Sequence, residues 1–287
     1  MESLFKKEWA AIEDDATRPR RMRSIVKIPF SEFKHKVLAQ DKAFVKEIVH
    51  SIYAGDVLVL RGAYTPEFIE HMKTSTFEWG KKSESSFHKM FEGVPDFHRI
   101  IDASVTKNYA IEAIRHIYYF FPWNNDPCKL MDAIYEKWRV IKFVGGYDQD
   151  QYTKNTPKDG IIDRIVLAQY PPGTGELETH CDPFKYQRTI MGTKMSRRGI
   201  DYEVGGLYFV DSQDREIDLE DQIELGDMYL SYATVYHGVK MIDPHKQTDW
   251  NKINGRWFMG LYSAVSDESA VRHTCWSAKT DAEGTAG

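Results

Sequence analysis

From about residue 161 onward the chain is written in short apolar runs separated by turns. Runs at 162–170, 186–191, 206–210, 228–233 and 257–265 follow one another with little of helical period between them. Several short strands bounded by turn residues restrict this half to an antiparallel sandwich or barrel. The first half has a different texture. Residues 42–53 carry Phe44, Val45, Ile48, Val49 and Ile52 at helical spacing. Thr65-Pro66-Glu67 opens another helix, with Thr as cap and Pro in the first turn. Further helices are expected at 4–13, on the surface, and at 126–140. Strands are expected at 24–29 and 57–60, and 14–23 reads as a basic connector. No Pro/Gly/Ser-rich boundary separates the halves. One domain over 1–287 is therefore expected: 1–160 mixed α/β with supporting helices, 161–266 the β-core, and 267–287 a C-terminal tail.

A chain of 287 residues can bury a sizeable core. No run of about 18 apolar residues is present, so no transmembrane helix is expected. Met1-Glu2-Ser3 leads into charge rather than an apolar run, so no secretory leader is expected either. A net charge of −5 argues against a general nucleic-acid binder. Three scattered cysteines are too few for a disulfide framework or a zinc knuckle, which points to a reducing, cytoplasmic setting.

Residues 170–183 read YPPGTGELETHCDP. His180 and Asp182 are one residue apart, and on an extended chain such residues share a face. Two ligands so placed could bind one ion if a third came from elsewhere. His237 ends an apolar run in GDMYLSYATVYHGV, residues 226–239. Two histidines and a carboxylate on one side of a metal, with positions left open, are the arrangement of non-haem Fe(II) oxygenases. Alone, His-x-Asp is more often a surface turn or a hydrogen-bonded pair. Arg256 then opens the apolar run NGRWFMGLYSAV, residues 254–265. If it faces inward, so do Phe258, Gly260 and Tyr262, and a buried arginine requires a carboxylate or phosphate partner.

Together these residues closely resemble the Fe(II)/2-oxoglutarate-dependent dioxygenase superfamily. The matching pattern is His180-Cys181-Asp182, Gly205-Gly206-Leu207, Gly226-Asp227 with His237-Gly238, and Arg256, over about residues 162–266. The resemblance implies an α+β fold: a double-stranded β-helix, or jelly roll, with N-terminal helices packed against one sheet. It implies that His180, Asp182 and His237 ligate Fe(II) and that Arg256 pairs with the distal carboxylate of 2-oxoglutarate. Residues 241–253 would then be an inserted loop, and Arg272 is the fallback for Arg256. Gln169, at the end of the strand before the motif, is a candidate cosubstrate contact; Tyr170 and Thr189 are weaker ones. The implied reaction oxidises an unactivated C–H bond with O2, by hydroxylation, desaturation or oxidative cyclisation, and releases succinate and CO2.

Residues 185–198 hold five basic residues and no acid, directly after the metal motif. A small, polar, anionic substrate held by Lys185 or Arg188, beside Phe184, is one reading. A basic loop answering the eight acids of 211–227 is the other. Phe97-His98-Arg99 with the aromatic run 118–123 offers a second lining, with Arg99 as its cation. A peptide or protein hydroxylase of the same fold, a metal-free jelly-roll binding module, and a cupin-type metalloenzyme without cosubstrate are the competing readings. Arg256 argues against the last. No membrane or nucleic-acid partner is expected, and the sequence does not set the oligomeric state.

Overall fold

The structure, a computed structural model, describes residues 3–279. Within them lie five α-helices: α1 (Leu4–Ile12), α2 (Phe30–Ala39), α3 (Lys42–Tyr53), α4 (Pro66–Gly80) and α5 (Met131–Val144). Four strands precede the barrel: β1 (Ile25–Pro29), β2 (Val57–Arg61), β3 (Phe97–Ile101) and β4 (Ala113–Phe120). Eight form it: β5 (Ile161–Tyr170), β6 (Glu176–Cys181), β7 (Thr189–Lys194), β8 (Gly206–Val210), β9 (Glu216–Asp218), β10 (Met228–Tyr232), β11 (His237–Lys240) and β12 (Arg256–Val265). A short β13 (Trp276–Ser277) follows.

The eight barrel strands pass back and forth between two antiparallel sheets, in order β10-β7-β12-β5 and β6-β11-β8-β9. That alternation is a double-stranded β-helix. β2 and β1 extend the first sheet beyond β10. β4 joins the sheets at one end, pairing with β6 through Ala113 and Ile114 and with β5 through His116–Phe120.

Strand parity decides what each sheet buries. On β12, Trp257, Met259 and Leu261 join Ile48, Val49 and Ile52 of α3 and Ile134 of α5 in one core. The alternate residues Arg256, Phe258 and Tyr262 line the space between the sheets. Truncating a side chain such as Trp257 to Ala would cost about 3–5 kcal/mol. Two glycines make room inside. Gly192 stands opposite both Tyr229 and Gly260, and a Cβ on Gly192 would overlap the Tyr229 ring.

Several elements differ from their sequence-based expectation. α1 is no surface helix, because Phe5 and Trp9 are fully buried and Trp9 Nε1 donates to the Val144 carbonyl at 2.7 Å. α5 starts at Met131 because Asp126 and Lys129 take positive φ in a turn. The Asp126 carboxylate accepts there from the backbone N–H of Leu130 and Met131. β7 starts three residues late because the chain first loops through Phe184 and Lys185, whose N–H groups donate to His273 Nε2. The last residues of the expected tail lie outside the described residues. No helix among the described residues is long and apolar enough to cross a membrane.

Candidate metal centre

β6 and β11 are antiparallel neighbours, and His180 stands directly opposite His237. Their ring centroids are 4.4 Å apart. His180 Nδ1 is 2.9 Å from the Glu178 carbonyl, and His237 Nδ1 is 3.0 Å from the Val235 carbonyl. A carbonyl only accepts, so both Nδ1 atoms carry the proton and both Nε2 atoms keep a lone pair. Asp182 follows β6 directly, its N–H donating to the Ala233 carbonyl at 3.0 Å. Its Oδ2 lies 3.5 Å from His237 Nε2. One ligand atom from each residue falls within 4.8 Å of the others.

All three are buried, at 4%, 7% and 6% exposure for His180, Asp182 and His237. Asp182 Oδ2 accepts no hydrogen bond. A buried carboxylate oxygen without a donor is costly unless a cation meets it. Burial, with His237 alongside, holds the His180 pKa well below 6.5, so the ring stays neutral and able to coordinate. Burial also raises the Asp182 pKa, and the charges of His237, Arg115 and Arg164 only partly oppose that. The donor set and the orphaned oxygen fit a divalent ion such as Fe(II), with positions left open.

The ligands line a cavity of about 480 Å³ between the sheets. Arg256 lines it too, from the start of β12, at 2% exposure. Its Nε donates to Glu220 Oε1 at 2.5 Å, while its Nη2 is buried without a partner. Glu220 Oε2 lies 3.3 Å from Lys194 Nζ. Burial pushes the Glu220 carboxyl up, but Arg256 and Lys194 outweigh it and hold its pKa at about 2. Two cations share one anion, which leaves a positive charge and a free N–H for a carboxylate.

No family model matches the sequence, and no curated protein does. Solved structures do. A C-terminally truncated hydroxylase-fold protein of Neurospora crassa, in apo form, aligns with a TM-score of 0.52 at 14% identity, over 88% of this chain and 98% of that one. The chain has the fold of the Fe(II)/2-oxoglutarate oxygenases. The full-length Neurospora crassa protein in complex with alpha-KG aligns with a TM-score of 0.48 at 17% identity, over 90% of this chain and 89% of that one. A Pseudomonas putida prolyl-4-hydroxylase aligns with a TM-score of 0.46 at 12% identity, over 76% and 97%.

Around this oxygenase-fold core the sequence-predicted site residues divide. His180, Asp182, His237 and Arg256 meet at one cavity. Gln169 does not reach it. On β5 the interior face is Arg164, Val166 and Tyr170, so Gln169 points the other way by parity. Its Nε2 donates to the carbonyls of Lys252 and Asn254, both at 2.7 Å, tying down the loop that delivers Arg256. Tyr170, its neighbour, is the residue that lines the cavity. Thr189 does not line it.

Arg188 also stands elsewhere, because its Nε donates to Glu13 at 2.7 Å and its Nη1 to the Gly145 carbonyl at 2.8 Å. The exposed Lys185 sits over the Tyr186 ring, and Phe184 packs on Arg18 and His273. Arg99 lies over Phe87 and Tyr109, behind the rim. Much of the basic stretch answers the acidic run instead: Lys194 meets Glu220, and Arg198 meets Asp218 and Asp221. The cavity's other cations are Lys89, Arg115, Arg164 and Arg272, the last paired with Asp267. Arg115 and Arg164 were signalled only as charges inside the apolar strands β4 and β5.

Proposed function

We propose that the protein is an Fe(II)- and 2-oxoglutarate-dependent oxygenase that oxidises an unactivated C–H bond of a small, polar, anionic metabolite, releasing succinate and CO2. One observation carries this reading. Two buried polar atoms without partners, Asp182 Oδ2 and Arg256 Nη2, belong to residues lining the same cavity, and one calls for a cation where the other calls for an anion. A metal ion together with a cosubstrate that is a chelate at one end and a carboxylate at the other satisfies both.

When bound, that pair supplies the activation of O2 and its coupling to decarboxylation. The chain supplies the setting. His180 and His237 offer neutral Nε2 atoms held by their Nδ1 bonds, and Asp182 supplies the anionic ligand. Arg256 orients the cosubstrate, and Gln169 fixes the backbone that carries Arg256. The core running from Phe5 to Leu261 supports treating the chain as one catalytic unit. The unpaired cysteines suit a reducing, cytoplasmic setting.

Anaerobic titration of 2-oxoglutarate into the Fe(II) protein tests the reading. A visible metal-to-ligand charge-transfer band that saturates with one equivalent bound is expected, followed by succinate formation on admitting O2. A protein that binds Fe(II) but gives neither band nor succinate would overturn it.

A further inference from the structure

Resting on the oxygenase reading of the cavity, we infer that Arg115 and Arg164 seat a carboxylate of the substrate, whose body is a flat, apolar group lying against Tyr119 and Tyr262.

Every other arginine lining this cavity has a carboxylate: Arg256 has Glu220 and Arg272 has Asp267. Arg115 and Arg164 form no ion pair among the described residues, although the Nε of each is buried without a partner. Arg115 Nη1 donates to the Tyr170 hydroxyl at 3.3 Å. Arg164 Nη1 reaches only Met90 Sδ, at 3.9 Å. A buried guanidinium without an anion carries an uncompensated desolvation cost, which a ligand carboxylate removes.

The two side chains converge although they start far apart on β4 and β5. Arg164 lies over the Tyr119 and Tyr262 rings, at 5.2 and 5.7 Å. The charge of Arg115 also acts on Tyr262. Both cations act on Asp182 and on Cys275, so both border the space beside the metal ligands. The metal and Arg256 account for the two carboxylates of 2-oxoglutarate, which leaves this second pair of cations unassigned. A carboxylate is favoured over a phosphate monoester because no α-helix N-terminus contributes to the wall to share further oxygens and a second charge.

The test uses the Fe(II) protein saturated with 2-oxoglutarate under nitrogen. Its thermal midpoint is followed against benzoate, 3-phenylpropionate and 4-hydroxyphenylacetate, against their primary amides, and against phenyl phosphate. At least one acid should raise the midpoint at a concentration tenfold or more below that needed by its amide or by phenyl phosphate. Arg115→Met and Arg164→Met should each abolish this acid-over-amide preference, and Arg115→Lys and Arg164→Lys should keep part of it. The charge-transfer band of 2-oxoglutarate, read in the same samples, should be unchanged in all four variants. Loss of that band in the wild type would count against the oxygenase reading, whereas the acid-over-amide preference reports on the arginine pair by itself. No response to any acid, an equal response to amides or to phenyl phosphate, or variants that keep the full preference would overturn the inference. If a variant fails to fold, the wild-type comparison of acid with amide decides.

Discussion

His180 and His237 face each other across neighbouring strands and are held by the same bond, Nδ1 to the carbonyl two residues earlier, Glu178 for one and Val235 for the other. The strand backbone thus sets both tautomers and both ring orientations before any ion arrives. Asp182 has no such support for its Oδ2. The site is organised on its histidine side and under electrostatic tension on its carboxylate side.

That tension gives the first expectation. Asp182→Asn removes a buried charge and adds an amide N–H that can donate toward His237 Nε2. The metal-free variant should be more stable than wild type by about 1–3 kcal/mol. Its melting temperature in EDTA should rise by several degrees. Metal affinity should fall by more than the roughly 10–100-fold that loss of an outer-shell partner costs. Calorimetry in EDTA and anaerobic Fe(II) titration check the two halves. A variant that melts lower than wild type and still binds iron as tightly would show that Asp182 is neither strained nor a ligand.

A second expectation concerns pH. His98 Nε2 donates to the Ser83 carbonyl at 3.0 Å, so His98 Nδ1 accepts from His116 Nε2 at 2.8 Å. His116 Nδ1 then accepts from the Tyr118 hydroxyl at 3.0 Å. Burial, reinforced by His98, lowers the His116 pKa to about 3. The folded state therefore holds fewer protons than the unfolded one, in which the group titrates near 6.5. This contribution to stability is complete above 6.5 and is lost as pH falls toward 3. At pH 5 the loss amounts to about 2 kcal/mol. His116→Gln keeps an acceptor and a donor but does not titrate. Its difference in stability between pH 7 and pH 5 should be smaller than that of wild type by about that amount, measured by urea unfolding. Parallel pH profiles would refute the assignment.

How much of this was legible in the sequence depended on whether a residue's role was local. His180, Asp182 and the inward parity of Arg256 follow from the two-residue period of a strand, and the structure places them accordingly. Gln169 was not legible, because one step along a strand turns a cavity contact into a loop clamp, and nothing local says which of Gln169 and Tyr170 faces inward. Arg115 and Arg164 were hidden for a related reason. A charge on an alternating strand usually marks the solvent face, and only the helices packed on the other side of the first sheet make theirs the interior. The basic stretch after the motif was chemically suggestive, but its partners Glu13, Glu220, Asp218 and Asp221 were chosen by tertiary pairing.

Arg188 supplies a third expectation. It joins α1 to the barrel through Glu13, which also accepts from the Tyr232 hydroxyl at 2.6 Å. Arg188→Ala should cost about 1–2 kcal/mol, since a partly buried, charge-assisted bond is lost. Hydrogen exchange should quicken in Leu4–Ile12, while the 2-oxoglutarate titration stays as in wild type. A large change in that titration with no change in α1 would move Arg188 back toward the site.

The last expectation separates the two roles of Arg256. As a clamp it should bind the distal carboxylate through its free Nη2, and truncation to Met should weaken 2-oxoglutarate by about 2–5 kcal/mol, roughly 30- to several-thousand-fold. As the partner of Glu220 it also neutralises a fully buried carboxylate. Arg256→Met leaves that carboxylate with Lys194 alone, whose Nζ also donates to the Glu220 and Ile223 carbonyls. Breaking one side of such a buried pair costs about 3–5 kcal/mol, so the single variant should be markedly destabilised. Replacing Glu220 by Gln in the same chain removes the stranded charge. The double variant should regain part of the lost stability but none of the 2-oxoglutarate affinity. Fe(II) should bind in both, because no ligand is touched. Urea unfolding and anaerobic titration of the charge-transfer band, run on both variants, read the two roles independently. Stability and affinity recovering together in the double variant would mean that Arg256 acts only by holding Glu220, and the clamp would then have to be sought at Arg272 or Arg115.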